Sequence, residues 1–151
     1  MDEARGRETI VALFRRIGQA MVSDLVRRIQ AAGAGDLSIG LHPLFENIDA
    51  GGTRLTVLAA RAEMTHQSMG ELVQTAEVRG FVERRPDPSD GRARLVCLTE
   101  SGRRMVTRAH REMAKIEREW RDHWRAAGFE GDMRDVLVRS LRRHRETHGS
   151  P

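Results

Sequence analysis

Apolar residues recur at intervals of three and four along most of the chain, and this spacing predicts a mainly helical protein. The predicted helices cover residues 8–29, a shorter segment within 38–49, and residues 56–62, 65–79, 100–126 and 132–144. Glycines separate several of them, since the run 32–35 ends the first helix and Gly51-Gly52 ends the second. Thr56 is predicted to cap the third helix, because a threonine hydroxyl accepts a hydrogen bond from the free N–H groups of a first turn.

The pattern changes in the middle of the chain. Two short runs, Phe81 to Arg85 and Arg92 to Leu98, flank a tip rich in Pro, Asp and Gly (residues 86–91), which predicts a two-stranded hairpin. Residues 53–55 are predicted to add a short third strand. A helix followed at once by a basic hairpin is the layout of a winged helix–turn–helix. We therefore expect a mainly α fold with a small β-wing (α+β), with the winged lobe over residues 53–99.

The helices at both ends of the chain are amphipathic. The helix over residues 100–126 would be about 40 Å long, whereas a compact domain of this size has a radius of gyration of about 15 Å. Its apolar stripe therefore needs a partner. We expect one domain over residues 1–151, whose helical lobe (8–30 and 100–146) forms a homodimer. The predicted dimer contacts are Ile10, Phe14, Ile17, Met113, Ile116, Trp120, Trp124, Val136, Leu137 and Leu141.

Composition narrows the functional classes. A net charge of +4 permits a nucleic-acid partner without requiring one. Lys115 is the only lysine beside many arginines, whose guanidinium groups suit contacts to phosphate and guanine. The single cysteine excludes an internal disulfide, and no phosphate loop, zinc-protease motif or nucleophile elbow occurs, so we expect no enzyme activity, cofactor or metal. Residues 1–7 lack an apolar leader and no run reaches membrane-spanning length, so we expect a cytoplasmic protein.

A rotation of 100° per residue divides the 65–79 helix into two faces. The apolar face contains Met69, Leu72, Val73 and Ala76. The other face and the first turn carry the predicted DNA contacts: Gln67, Glu71 and Gln74 for bases, Gly70 for close backbone approach, and Thr65, His66 and Ser68 for phosphate. Glutamine can bond to adenine and glutamate can accept from cytosine N4, while the free N–H groups of a first turn favour phosphate. The alternative is an ordinary solvated helix face on which Thr65 is only a cap.

The predicted hairpin is basic. Its arginines are Arg84, Arg85, Arg92 and Arg94. Arginines at such a tip can enter a narrow minor groove, where the negative potential is enhanced. Arg54, just before this region, is a further candidate for a phosphate contact. The alternative is a solvated hairpin whose charges only maintain solubility.

Three runs at fixed spacing, Gly80 to Arg85, Asp90 to Arg94 and Leu98-Thr99-x-x-Gly102, resemble the signature of the MarR-type (multiple antibiotic resistance regulator) transcription factors. The resemblance implies a homodimeric repressor that binds a palindromic site on double-stranded DNA, with Arg92 and Arg94 at the minor groove. We interpret Asp90 as an organiser that closes a turn or pairs an arginine.

The resemblance also implies release by a small aromatic effector, in a pocket near His42, Phe45 and the helix that begins at Glu100. The chain departs from the usual family pattern at Gly70-Glu71, where many relatives carry Ser or Thr and a basic residue. It departs again at Glu63, where a glycine is common. A left-handed conformation at Glu63 would cost on the order of 1 kcal/mol.

Other interpretations remain open. A winged-helix dimer that acts as a protein-interaction adaptor, without specific DNA binding, is the alternative function, and Glu71 on the reading face supports it. Cys97 is interpreted as a structural thiol in a strand rather than a redox sensor. The two tryptophans are interpreted as dimer core rather than a cofactor pocket. His144 and His148 lie four residues apart, but no further side chain is spaced to complete a metal site with them.

Overall fold

The computed structural model describes residues 8–33 and 38–149. Its elements are α1 (Ile10–Ala31), a 3-10 turn (Ile39–Leu41), α2 (His42–Asn47), β1 (Thr53–Arg54), α3 (Leu55–Arg61), α4 (His66–Val78), β2 (Val82–Asp87), β3 (Asp90–Leu98), α5 (Glu100–Ala126) and α6 (Met133–His148). The predicted mainly α fold with a small β-wing is confirmed. The predictions that fall on residues 1–7, and the part of the predicted helix stop at Ala34 and Gly35, lie outside the described residues.

The strands form one antiparallel sheet in the order β1-β3-β2. Thr53 pairs with Val96, which confirms the predicted short strand, although Leu55 already belongs to α3. The wing strands extend further than predicted, since the turn between them consists only of residues 88 and 89. Pro86 was predicted to belong to the tip, but it lies in β2. Because β2 is an edge strand with a register shift beside Pro86, it tolerates a residue that has no N–H to donate.

Two predicted helix ends were wrong. The N-cap of α3 is Arg54 rather than Thr56, because β1 runs directly into the helix and the extended backbone of Arg54 (φ −65°, ψ 144°) already occupies the cap position. Thr56 is exposed in the first turn. At the other end of the chain, α6 continues to His148, one turn beyond its predicted end at His144.

Three helices end with the same pair of backbone hydrogen bonds, in which two N–H groups beyond the helix bond back to its last carbonyls. This arrangement requires a left-handed residue just after the C-cap, a position that glycine usually occupies. Gly80 (φ 73°) has it after α4 and Gly128 (φ 90°) has it after α5. After α3 the residue is Glu63, with φ 52°. The left-handed conformation considered for Glu63 is therefore present.

The chain divides within α5 into two compact units, one ending at Met113 and the other beginning at Ala114. The core of the first unit is formed by side chains that are fully or almost fully buried: Ile29, Leu41, Leu44, Leu58, Met69, Val73, Val96 and Met105. No helix in ranges 8–33 and 38–149 is long and apolar enough to cross a bilayer. The single-domain prediction over residues 1–151 stays a prediction.

The start of α5 is fixed to the base of the wing. The Thr99 hydroxyl donates to the carbonyls of Gly80 (2.6 Å) and Phe81 (3.1 Å), and it accepts from the N–H of Gly102 at 3.0 Å. A Cβ at Gly102 would overlap the Phe81 carbonyl oxygen, so the close approach of helix and strand requires glycine there. The Thr99-x-x-Gly102 run of the sequence signature thus has a structural role.

Candidate nucleic-acid interface

The first turn of α4 is capped by its own side chains. Thr65 Oγ1 accepts from the backbone N–H of Ser68 at 3.1 Å and donates to Ser68 Oγ at 2.9 Å. His66, between them, is exposed. The cap explains why the helix begins here, because it satisfies one of the N–H groups that lack a partner within the helix. It also presents His66 and the hydroxyl of Ser68 on the outer side of the first turn.

The two predicted faces of α4 are present. Met69, Val73 and Ala76 are fully buried, and Leu72 is half-buried beside them. The opposite face carries Gln67, Glu71 and Gln74, all exposed. Gln67 Nε2 donates to Glu71 Oε1 at 3.4 Å, so these two side chains share one orientation. The helix therefore offers a row of amide and carboxylate groups, whose hydrogen-bonding capacity matches base edges in a major groove.

Gly70 lies between these faces. A Cβ at this position would lie 3.8 Å from Leu55 Cδ2, an ordinary contact distance, and would meet nothing closer. The packing of α3 on α4 therefore does not require a glycine. Its role in close backbone approach to DNA stays a prediction.

The wing arginines fall into two groups. Arg84 Nε donates to Glu77 at the end of α4 (3.2 Å), and Arg85 Nε donates to Glu83 on the same strand (3.0 Å). Arg92 and Arg94, on β3, are exposed, and no ion pair within the described ranges engages either of them. Arg92 and Arg94 therefore carry the wing charge that is available to a phosphate backbone.

Asp90 closes the wing turn, since its Oδ1 accepts from the backbone N–H of Arg92 at 3.1 Å. Its other oxygen lies 3.7 Å from Arg54 Nη2. These are the two organising interactions considered for Asp90. The carboxylate thus holds the turn from which Arg92 and Arg94 extend.

Sequence reasoning missed Asp87, which is only 7% exposed although it lies beside the wing tip. Hydrogen bonds from the hydroxyl (2.7 Å) and the backbone N–H (2.8 Å) of Ser89, and then from Arg54, lower the pKa of the Asp87 carboxyl to about 2. The spacing Asp87-Pro88-Ser89 is a signal for part of this arrangement, because an aspartate commonly accepts from the N–H two residues ahead. The pairing with Arg54 has no such local signal.

An open groove of about 390 Å³ lies between the wing and the two helices before it. Its lining consists of Arg54, Leu55, Thr56, His66, Arg84, Ala93, Arg94 and Val96. Cationic groups from β1, β2 and β3 thus meet the first turn of α4 around one concave surface. Arg54 and Arg84 are paired with carboxylates, so Arg94 contributes most of the positive charge of the lining that is available to a phosphate backbone.

The MarR family model matches residues 42–93. This range contains α2, β1, α3, α4, β2 and the start of β3. This segment of the chain is therefore similar to the MarR family, in agreement with the sequence signature.

Two curated relatives are described as HTH-type transcriptional regulators. An uncharacterized HTH-type transcriptional regulator of Mycobacterium leprae (strain TN) is 35% identical over 80 residues, which are 53% of this chain and 52% of that protein. An HTH-type transcriptional regulator of Mycobacterium tuberculosis (strain CDC 1551 / Oshkosh) is 36% identical, with the same coverage of both chains. The chain spans about half the length of the curated relatives it matches. Among solved structures, CouR from Rhodococcus jostii RHA1 bound to p-coumaroyl-CoA aligns with a TM-score of 0.69 over 95% of each chain, at 24% identity, a likeness of fold.

The effector pocket that the MarR resemblance implies stays a prediction. Phe45 packs edge-to-face against Phe81, with ring centroids 5.9 Å apart, and His42 Nδ1 lies 3.5 Å from Glu46. Both predicted residues are half-buried. The groove of 390 Å³ lies elsewhere, at the wing.

The predicted dimer residues differ in exposure. Large apolar side chains are exposed on α1 (Ile10, Phe14) and on α6 (Val136, Leu137, Leu141). Ile17, Met113, Trp120 and Trp124 are half-buried. The prediction of a dimer contact was wrong for Ile116, because this side chain is fully buried within a single chain and has no surface left for a partner. The spacing of three and four residues placed Ile116 on the apolar stripe of α5, but it could not show that the chain itself covers that position.

Proposed function

We propose that this protein is a DNA-binding transcriptional regulator that acts as a homodimer on double-stranded DNA. The observation that carries the proposal is the groove that brings His66, at the start of α4, together with Arg84 and Arg94 of the wing. The family match over residues 42–93 supports the same function. The side chains that line this groove give no comparable support to an enzymatic function.

In this proposal the two parts of the interface have different tasks. Gln67, Glu71 and Gln74 of α4 read base edges in a major groove, where hydrogen-bonding groups distinguish all four base pairs. Arg92 and Arg94 hold the backbone beside the neighbouring minor groove, where they contribute affinity rather than sequence preference. Thr65, His66 and Ser68 contact phosphate at the start of the helix.

The homodimer defines the form of the DNA site. Exposed apolar side chains on α1 and on α6 support contact with a second copy of the chain. Two recognition helices related by a two-fold axis enter successive major grooves about 34 Å apart, so the operator is an inverted repeat.

We further propose that the protein represses transcription and that a small aromatic effector releases it from DNA. A relative of similar fold was crystallised with p-coumaroyl-CoA, a ligand that contains an aromatic ring. Release requires an effector that binds better to a dimer whose helix spacing no longer matches one turn of DNA. We place the ring of such an effector near His42 and Phe45.

Selection of bound duplexes from a random DNA library, at near-physiological salt, tests the proposal. We expect recovery of an inverted repeat with half-sites about one helical turn apart. Weak binding without sequence preference, lost as the salt concentration rises, would contradict specific regulation and would favour a protein-interaction adaptor.

Substitutions then test the division of tasks. We expect Arg92→Ala to weaken binding to all sequences. It should also reduce the slope of log affinity against log salt concentration by the amount expected for about one lost phosphate contact. Gln67→Ala should instead change the preferred bases. Arg118→Ala is the matched control, because it removes the same charge from an exposed position on α5. Equal effects of Arg92→Ala and Arg118→Ala would show that only net charge matters.

A further inference from the structure

One ion pair joins the wing tip to the helix–turn–helix across 33 residues of sequence. Arg54 Nε donates to Asp87 Oδ2 at 2.7 Å, and Arg54 Nη2 lies 2.6 Å from the same oxygen. Arg54 is the N-cap of α3 and also the last residue of β1, so its backbone is fixed from both sides. The pair therefore connects the end of the hairpin to the junction of β1 and α3.

Asp87 is not an ordinary surface carboxylate. Its neighbours Pro86, Pro88 and Ser89 are exposed, whereas Asp87 itself is buried. Oδ1 accepts two hydrogen bonds from Ser89, and Oδ2 faces the Arg54 guanidinium. A carboxylate with both oxygens satisfied in a buried site has a defined position, in contrast to exposed pairs such as Arg85–Glu83.

We propose that Arg54 and Asp87 are positioning residues that hold the wing tip in the orientation needed for Arg92 and Arg94 to reach DNA. The proposal rests on the DNA-binding function proposed above. It changes the role expected for Arg54, from a phosphate contact to the anchor of the wing.

The strand register supports this role. Pro86 pairs with Arg94, and Asp87 pairs with Asp90 across a register shift, so the anchored residue lies opposite the start of β3. Asp90 also reaches toward Arg54, at 3.7 Å. One guanidinium thus faces a carboxylate from each wing strand, and release of that guanidinium would loosen both strands at the tip.

The direction in which Asp87→Asn changes DNA affinity separates a positioning role from a purely electrostatic one. Asp87→Asn removes a negative charge close to the proposed DNA surface, so a purely electrostatic interface would bind DNA more tightly. If Asp87 positions the wing, the same substitution should weaken binding, by about tenfold. Glu83→Gln is the matched control, because it removes a negative charge from an exposed pair on the same strand. We expect that control to bind at least as tightly as the wild type.

A double-mutant cycle identifies the groups through which Asp87 acts. In a protein that already carries Arg92→Ala and Arg94→Ala, Asp87→Asn should cause little further loss of affinity, because the contacts it supports are absent. Arg54→Lys keeps the charge but loses the Nε donor, and we expect it to weaken binding in the same direction as Asp87→Asn. Additive losses in the cycle would overturn the proposal, as would tighter binding of Asp87→Asn.

Amide order parameters of residues 88–94, measured by NMR on each variant, give a readout independent of DNA. We expect Asp87→Asn, but not Glu83→Gln, to lower them while the melting temperature shows that the lobe remains folded. Unchanged order parameters would overturn the anchor itself. Failure of the wild type to bind any DNA would instead overturn the proposed function, and the order parameters would still decide whether the anchor exists.

Discussion

Glu63 adopts a left-handed backbone conformation at a position where glycine stands after two other helices. The same helix ending follows α3, α4 and α5, with glycine at the left-handed position after α4 and α5 and with glutamate after α3. A side chain in this conformation brings its Cβ close to a backbone carbonyl, which costs on the order of 1–2 kcal/mol. The turn between α3 and α4 therefore stores strain that the other two endings avoid.

We expect Glu63→Gly to stabilise the protein by about 0.5–1 kcal/mol, since relief of the left-handed conformation exceeds the greater flexibility that glycine adds to the unfolded chain. Chemical denaturation, with the midpoint and slope both measured, would report the change. Glu63→Ala is the control, because it removes the carboxylate but keeps the Cβ, and it should not stabilise. Equal stabilisation by both variants would show that charge, rather than backbone strain, matters at this position.

Periodicity predicted the helix faces well but not the places where elements begin and end. The buried and exposed rows of α4 follow directly from the 3.6-residue repeat, because one side of that helix faces the core. The start of α3 depends instead on β1, which pairs with β3 about forty residues later and places Arg54 at the cap. A local pattern contains no information about such a pairing, so Thr56 was the wrong choice.

The same limit applies to the candidate site. Gln67, Glu71 and Gln74 could be predicted because they lie on one helix, and Arg92 and Arg94 because they lie on one strand. The anchor formed by Arg54 and Asp87 could not, because it depends on the folded sheet. Sequence reasoning therefore named the groups that we propose face DNA, but it missed the pairing of Arg54 with Asp87 that we propose positions them.

Gly70→Ala tests whether the backbone of α4 approaches DNA closely at this position. We expect Gly70→Ala to raise stability by up to about 1 kcal/mol, because alanine is the better helix former and the added methyl meets only Leu55, at 3.8 Å. We also expect it to weaken binding to the selected DNA site, since the methyl would separate the helix backbone from the groove. Thermal unfolding and DNA titration of the same sample measure the two effects. A stabilised variant with unchanged affinity would place Gly70 outside the interface.

For the molecule as a whole, α6 presents the clearest need for a partner. None of its residues is buried, yet it carries an apolar stripe that includes Val136, Leu137 and Leu141. An amphipathic helix gains most of its stability in proteins by packing that stripe, and charged residues cover only its other face. A second copy of the chain is the partner that the proposed function requires.

We expect Leu137→Glu combined with Leu141→Glu to convert the protein into a monomer, which light scattering after size-exclusion chromatography would measure. Val57→Glu is the control for the effect of one such charge, because it introduces a single glutamate at an exposed apolar position on α3. The monomer should lose about 10²–10⁴-fold in affinity for the inverted repeat, since the second half-site would no longer be bound at the high effective concentration that a linked partner provides. Its affinity for an isolated half-site should stay close to that of one subunit, because α4 and the wing are unchanged. A double variant that remains dimeric would exclude this face of α6 from the interface, whereas a monomer that keeps full affinity for the repeat would show that the two half-sites are bound independently.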